Sequence, residues 1–183
     1  MTRLVGIAGS LRRHSFNAGL LRAARDAMPD GTVLEIGTIA GIPLYNADLE
    51  AEGIPAPVAA LKDAVAGSDG LLLVTPEYNN GIPGAFKNAI DWLSRPGADI
   101  PRVFRGRKVA LIGASPGGFG TILAQDHWLP VLRTLGVSLW TQGRLMVSGA
   151  GKAFDAEGNL TDEAVRARLA EFMAGFVAAV RAG

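Results

Sequence analysis

The chain contains no cysteine, which excludes disulfides, thiolate chemistry and cysteine-ligated zinc and leaves any redox chemistry to a bound molecule. It has no charge excess: 18 Lys and Arg stand against 17 Asp and Glu, a net charge of +1. With no global field, neither nucleic acid nor an anionic membrane is an expected partner, and small molecules are. No apolar run approaches the roughly 18 residues that a bilayer-spanning helix needs. No signal-type apolar segment precedes the first strand-like run, so a cytoplasmic location is expected. Histidine occurs only at His14 and His127. Neither has a carboxylate cluster nearby, so no metal site is expected and both are read as surface or capping residues. Absent too are G-x-x-x-x-G-K-[ST] and G-x-G-x-x-G, the marks of a triphosphate cradle and a dinucleotide clamp.

What the chain does have is enough apolar material, 49% of 183 residues, for one well-buried core. A single domain over residues 1–183 is expected. Short, nearly unbroken apolar runs at Leu4 to Ala8, Leu71 to Val74 and Val109 to Ile112 fit parallel strands buried on both faces. Val33 to Ile36, which carries Glu35, reads as an edge strand, and Val137 to Trp140 as the fifth strand. Between them, apolar residues recur at steps of three and four: Val58, Leu61 and Val65; Ala85, Phe86, Ala89, Ile90 and Leu93; Val165, Leu169, Phe172, Phe176 and Val180. Each set forms one helical stripe facing a core. The alternation predicts a doubly wound α/β domain of flavodoxin-like type, a three-layer arrangement around a five-stranded parallel sheet of order 2-1-3-4-5. Thr161 is expected to cap a last helix running to about Arg181, and the segments Ile39 to Pro57 and Gly143 to Leu160 are expected to be irregular.

In such a fold, ligands bind beyond the carboxyl ends of the strands. The loops expected there read GSLRRHSFN (Gly9 to Asn17), TPEYNNGIPG (Thr75 to Gly84) and GASPGGFG (Gly113 to Gly120). The first offers the hydroxyls of Ser10 and Ser15, the guanidinium of Arg12, the amide of Asn17 and the free N–H groups of a helix starting near Ser15 or Phe16. These make an anion cradle suited to a monophosphate. The bland alternative is a capped helix with solvated arginines. The second loop places Glu77, Tyr78 and Asn79 where they can edge or cover a planar heterocycle. A capped turn with Pro83 in the first helical turn leaves Glu77 and Asn79 without a reason. The third is rich in glycine, so its backbone can approach a ligand closely.

The combination of GSLRRHSFN, PEYNNGIPGAFKNAIDWLSR and GASPGG resembles the NADPH-dependent FMN reductase family, in particular its bacterial quinone and chromate reductase branch. The resemblance extends through IPLYNADLE and DGLLLVTPEYN. It implies one FMN per chain and reduction of quinones, flavins, azo compounds or metal oxyanions such as chromate by NADPH or NADH. Hydride would pass through flavin N5 in a ping-pong cycle, with no protein nucleophile. By motif, Ser10, Arg12, Ser15, Phe16 and Asn17 would hold the FMN phosphate. Pro76, Glu77, Tyr78 and Asn79 would bound the isoalloxazine, and Ser115, Pro116, Gly117 and Gly118 would close its pyrimidine side.

A flavodoxin-type electron carrier is the leading alternative, and a nucleotide or phosphate sensor on the same fold, without flavin, is a third reading. The balanced charge and the basic stretch of Arg95, Arg102, Arg105, Arg107 and Lys108 speak against an acidic docking face. That stretch is expected either to meet a phosphate of NADPH or an anionic acceptor, or to be a solvated loop. A homodimer or homotetramer is expected from Trp92 on its apolar helical stripe and from Ile42, Leu44 and Tyr45.

Overall fold

The computed structural model describes residues 1–183. The elements in chain order are β1 (Thr2–Ala8), α1 (Phe16–Asp26), β2 (Thr32–Gly37), α2 (Ala47–Glu52), α3 (Ala56–Ala66), β3 (Gly70–Val74), α4 (Gly84–Leu93), α5 (Ile100–Val103), β4 (Lys108–Ala114), α6 (Ile122–Leu135), β5 (Ser138–Leu139), β6 (Leu145–Val147) and α7 (Glu163–Arg181). The sheet order is β2-β1-β3-β4-β5, all parallel, with β6 also pairing with β4. This is the flavodoxin-like topology that the alternating pattern predicts.

Burial on both faces explains the unbroken apolar runs. Leu4, Leu72, Val74, Ala110 and Ile112 join the core under α1 and α7. Val5, Ile7, Leu71, Leu73, Val109 and Leu111 join the second core, under α3, α4, α5 and α6. Successive residues point to opposite faces, so each inner strand serves two cores at once.

Three expectations are corrected. The fifth strand, expected at Val137 to Trp140, is there but shorter, Ser138–Leu139, and a second piece follows it: pairing with β4 stops at Val109 with Leu139 and resumes at Ile112 with Leu145. The Trp140 N–H still donates to the Val109 carbonyl at 2.8 Å, residues 141–144 connect the two pieces, and β6 therefore lies inside a stretch read as irregular. Asp162, not Thr161, caps α7, its side chain accepting from the Val165 N–H at 3.0 Å, while the Thr161 hydroxyl donates to the Ala153 carbonyl at 3.2 Å. Trp92 is fully buried within the single chain, its Nε1 donating to the Pro43 carbonyl at 2.9 Å, and so supplies no surface for association. The basic stretch is at the amino-terminal edge of the sheet, since β4 begins at Lys108. There Arg102 pairs with Asp63 and Asp99 and Arg107 donates to the carbonyls of Ala66, Ser68, Arg102 and Val103, while Arg95 and Arg105 are exposed, as in a solvated loop.

Candidate functional site

The carboxyl ends of β1, β3 and β4 are laced together by the backbone. The Gly9 N–H donates to the Val74 carbonyl at 2.9 Å, Thr75 to Ile112 at 2.8 Å and Ser115 to Val147 at 3.0 Å. Three sequence-distant loops are thereby brought to one edge. Gly113 lets them close: a Cβ there would be 2.2 Å from the Thr75 carbonyl oxygen and 2.3 Å from the Thr121 hydroxyl.

In the first loop the buried Ser15 caps α1, its hydroxyl oxygen accepting from the Ala18 N–H at 3.2 Å. Its hydroxyl hydrogen is left to donate elsewhere. The Phe16 and Asn17 N–H groups, in the first turn, have no acceptor in the chain. Asn17 itself, 4% exposed, is engaged through its side chain: Nδ2 donates to the Ala114 carbonyl at 2.8 Å and Oδ1 accepts from the Ala114 N–H at 2.9 Å. The amide copies a strand neighbour and pins α1 to the end of β4, so what Asn17 leaves for a ligand is mainly its backbone N–H. Ser10 accepts from the Arg12 N–H at 3.3 Å. Arg12 is exposed, lies over the Phe16 ring at 4.7 Å, and like Arg13 takes part in no ion pair. A helix N-terminus with two unspent donors and an unpaired guanidinium is suited to a phosphate dianion.

In the second loop Pro76 is buried and Tyr78 is 55% exposed. Tyr78 and Gly81 exchange both backbone hydrogen bonds, at 3.1 and 3.0 Å, around Asn79 and Asn80 with φ of 50° and 61°. Two left-handed residues in a two-residue hairpin are the type I′ pattern, and asparagine tolerates it better than other non-glycine residues. Glu77 is directed at the protein: its Oε2 accepts from the Ala124 N–H at 2.9 Å, capping the first turn of α6 with a negative charge where the helix dipole favours one. Glu77 is half-buried and Asn79 exposed. Behind this loop, Trp128 donates through Nε1 to the Thr75 hydroxyl at 3.1 Å, and that hydroxyl donates to the Pro76 carbonyl at 2.8 Å.

In the third loop Ser115 is buried and its hydroxyl accepts from the Gly117 N–H at 3.2 Å, while Pro116, Gly117 and Gly118 are exposed. A side chain at Gly118 would meet nothing within 4 Å, so the space above this loop is open. Three features of the rim carry no sequence signal of their own. Phe119 is 84% exposed beside the glycines. His127 on α6 faces the hairpin, its Nδ1 being 3.5 Å from where a Gly81 Cβ would stand. Residues Phe154 to Leu160 pack against the first loop, with His14 Nδ1 3.3 Å from the Glu157 carbonyl oxygen. No group of three or more metal-ligating side chains is present.

These donors fit a phosphorylated planar heterocycle, and comparison with known proteins points the same way. Residues 2–152 match the family model of the NADPH-dependent FMN reductases. The chain is 43% identical over 164 residues to an NAD(P)H-dependent FMN reductase of Pseudomonas aeruginosa, covering 90% of this chain and 87% of that one. It is 38% identical over 179 residues to a 2-hydroxy-1,4-benzoquinone reductase of a Burkholderia species, covering 98% and 96%. Among solved structures, the flavoenzyme NAD(P)H:(acceptor) oxidoreductase FerB of Paracoccus denitrificans superposes with a TM-score of 0.87 at 33% identity, over 99% of this chain and 98% of that one. Sequence motifs, topology and these matches agree, and the chain belongs to the NADPH-dependent FMN reductase family.

Proposed function

We propose that the whole chain acts as one FMN-binding domain that uses NADPH or NADH to reduce quinones, as an enzyme rather than as a one-electron carrier between proteins. The observation that carries the reading is the start of α1, where the unspent N–H groups of Phe16 and Asn17 adjoin Ser10 and an Arg12 free of any carboxylate. Ser10, Arg12, Ser15, Phe16 and Asn17 hold the phosphate. Pro76, Glu77, Tyr78 and Asn79 bound the ring, mainly through the backbone of Glu77 and Asn79 and the exposed Tyr78. Ser115, Pro116, Gly117 and Gly118 lie along its pyrimidine side, where the Gly118 N–H, which has no acceptor in the chain, stabilises negative charge, while the Gly117 N–H is held by the Ser115 hydroxyl.

When bound, FMN supplies the hydride chemistry at N5. This chain supplies position. The Ser15 cap and the Asn17 bridge to Ala114 fix the phosphate loop, the type I′ turn fixes Tyr78, and Gly118 leaves the approach open. Donor and acceptor then use one open face in turn, so initial rates are expected to give parallel double-reciprocal lines. Intersecting lines with a demonstrated ternary complex overturn that. Similarity to the benzoquinone reductase supports quinones as acceptors, and flavins, azo compounds and chromate complete the panel to be assayed. No helix is long and apolar enough to cross a membrane, and a cytoplasmic location is part of the reading.

We also propose a homodimer, able to associate into a homotetramer. Its support is no longer Trp92 but the exposed Leu44, Ile122, Leu123 and Leu129. Light scattering at micromolar concentration should give at least twice the 19.0 kDa of one chain. The deciding experiment for the function is anaerobic: NADPH or NADH should bleach the yellow absorbance of the FMN-loaded protein, and a quinone should restore it. A protein that takes up no FMN, or whose bound FMN neither nicotinamide bleaches, sinks the proposal.

A further inference from the structure

The segment after the family match, Phe154 to Leu160, closes on itself and then closes on the first loop. Phe154 and Leu160 form an isolated antiparallel bridge. Within it the Asp155 N–H donates to the Asn159 carbonyl at 2.9 Å, and the Gly158 N–H to the Asp155 carbonyl at 3.0 Å. The Asp155 carboxylate accepts from the Asn159 N–H at 2.7 Å and from its Nδ2 at 3.2 Å. The result is a rigid turn whose tip, Gly158, is buried and left-handed at φ +78°.

That tip is pressed between two parts of the candidate phosphate site. A Cβ at Gly158 would be 2.9 Å from the His14 carbonyl carbon, and one at Gly19 would be 1.7 Å from the Gly158 oxygen. Arg22 of α1 clasps the turn, donating to the Gly158 carbonyl at 3.2 Å and to Asn159 Oδ1 at 3.0 Å. On the other side the Phe154 ring packs on Phe16 with centroids 5.2 Å apart, and Phe16 carries the Arg12 guanidinium on its ring. The loop itself holds few internal restraints, chiefly the 3.3 Å contact from the Arg12 N–H to Ser10. Its order comes from outside.

We propose that the turn Phe154–Leu160 is a positioning element for the phosphate subsite, bracing Arg12 through the Phe154–Phe16 stack and the His14–Asn17 backbone through Gly158, so that flavins with a terminal phosphate are held in preference to those without. The inference rests on the flavin reading above. A loop already held in its binding conformation loses less entropy when the anion arrives. The preference for phosphate therefore depends on residues that need not touch it.

The test is equilibrium titration of the full chain with FMN and, separately, with riboflavin, for the wild type, Gly158→Ala and Phe154→Leu. Gly158→Ala drives a methyl group into the His14 backbone, and Phe154→Leu removes the ring beneath Phe16 while keeping the site apolar. The expected result is an FMN affinity lower by about tenfold or more with riboflavin affinity unchanged. If Gly158→Ala does not fold, Phe154→Leu decides alone. FMN affinity at the wild-type level, or FMN and riboflavin weakened in parallel, reduces the turn to a packing role and overturns the proposal. A wild-type chain that binds FMN no better than riboflavin refutes instead the phosphate reading on which it rests.

Discussion

The two ends of the sheet both carry arginines, and they use them in opposite ways. At the amino-terminal edge three cations are spent on the protein. Arg107 donates to four carbonyls, Arg102 bridges Asp63 and Asp99, and the buried Lys62 reaches the Arg95 carbonyl and Asp99. At the carboxyl edge Arg12 meets only the face of Phe16. A run of basic residues in a sequence therefore says little about ligands. A cation that is to meet a ligand must be free of protein acceptors and stand at the site, and neither condition can be read until the chain is folded.

That contrast can be broken at either end. The largest effect on stability is expected for Arg107→Ala, which strips partners from the Ala66, Ser68 and Val103 carbonyls. Chemical denaturation should show a loss of about 2–4 kcal/mol with FMN affinity retained in whatever protein folds. Arg12→Ala should do the reverse. The unfolding midpoint of the flavin-free chain should hardly move, while FMN binds about ten- to a hundredfold more weakly, or about 1.5–3 kcal/mol. Riboflavin binding should be spared, Arg12→Lys should restore part of the loss, and Arg13→Ala should bind FMN as the wild type does. If Arg13→Ala were the worse variant, the cradle would be wrongly assigned.

Asp99 gives a pH handle on the amino-terminal end. The hydrogen bond from Lys62 is the main cause holding its carboxyl below the usual carboxylate range, with charge attraction from Lys62 and Arg102 adding to it. A carboxylate held low in the folded state stabilises it above the ordinary carboxylate pKa, and that contribution disappears as pH falls through the lower folded value. Asp99→Asn should therefore cost about 1–2 kcal/mol at neutral pH and show a flatter loss of stability on acidification than the wild type. Equal slopes would detach Lys62 from this role. The smallest effect is expected for Arg102→Ala. Its side chain is 48% exposed, and exposed pairs are worth about 0–1 kcal/mol, so thermal unfolding should shift little and added salt should erase the difference.

Much of this molecule is legible in its sequence because two-faced burial leaves a plain mark. Leu71 to Val74 and Val109 to Ile112 are apolar without a break, and the loops that follow them are rich in residues with no core role. What escapes is where a side chain goes once distant segments meet. Glu77 reads as a ligand-facing carboxylate, yet its acceptor duty is to the N–H of Ala124, 47 residues away. Asn17 reads as a phosphate amide and is bonded to Ala114 across 97 residues. Trp92 reads as an interface residue until the Pro43 carbonyl meets its indole. The split fifth strand fails for a local reason: three residues of β6 behind Gln142, Gly143 and Arg144 are too few to show a period.

The hydrogen bond between Trp128 and Thr75 also has an optical consequence. This indole is fully buried, is met edge-on by Phe86 at 5.0 Å between ring centroids, and is fastened to the strand end from which the loop Pro76–Asn79 departs. A flavin seated on that loop, as proposed above, would absorb in the spectral region where tryptophan emits, and Trp128 would be an internal donor for energy transfer. Its emission should dim as FMN is added, alongside that of Trp92 and Trp140, and Trp128→Phe should reduce the extent of that quenching. The chain thus carries its own gauge of cofactor occupancy, readable without a label.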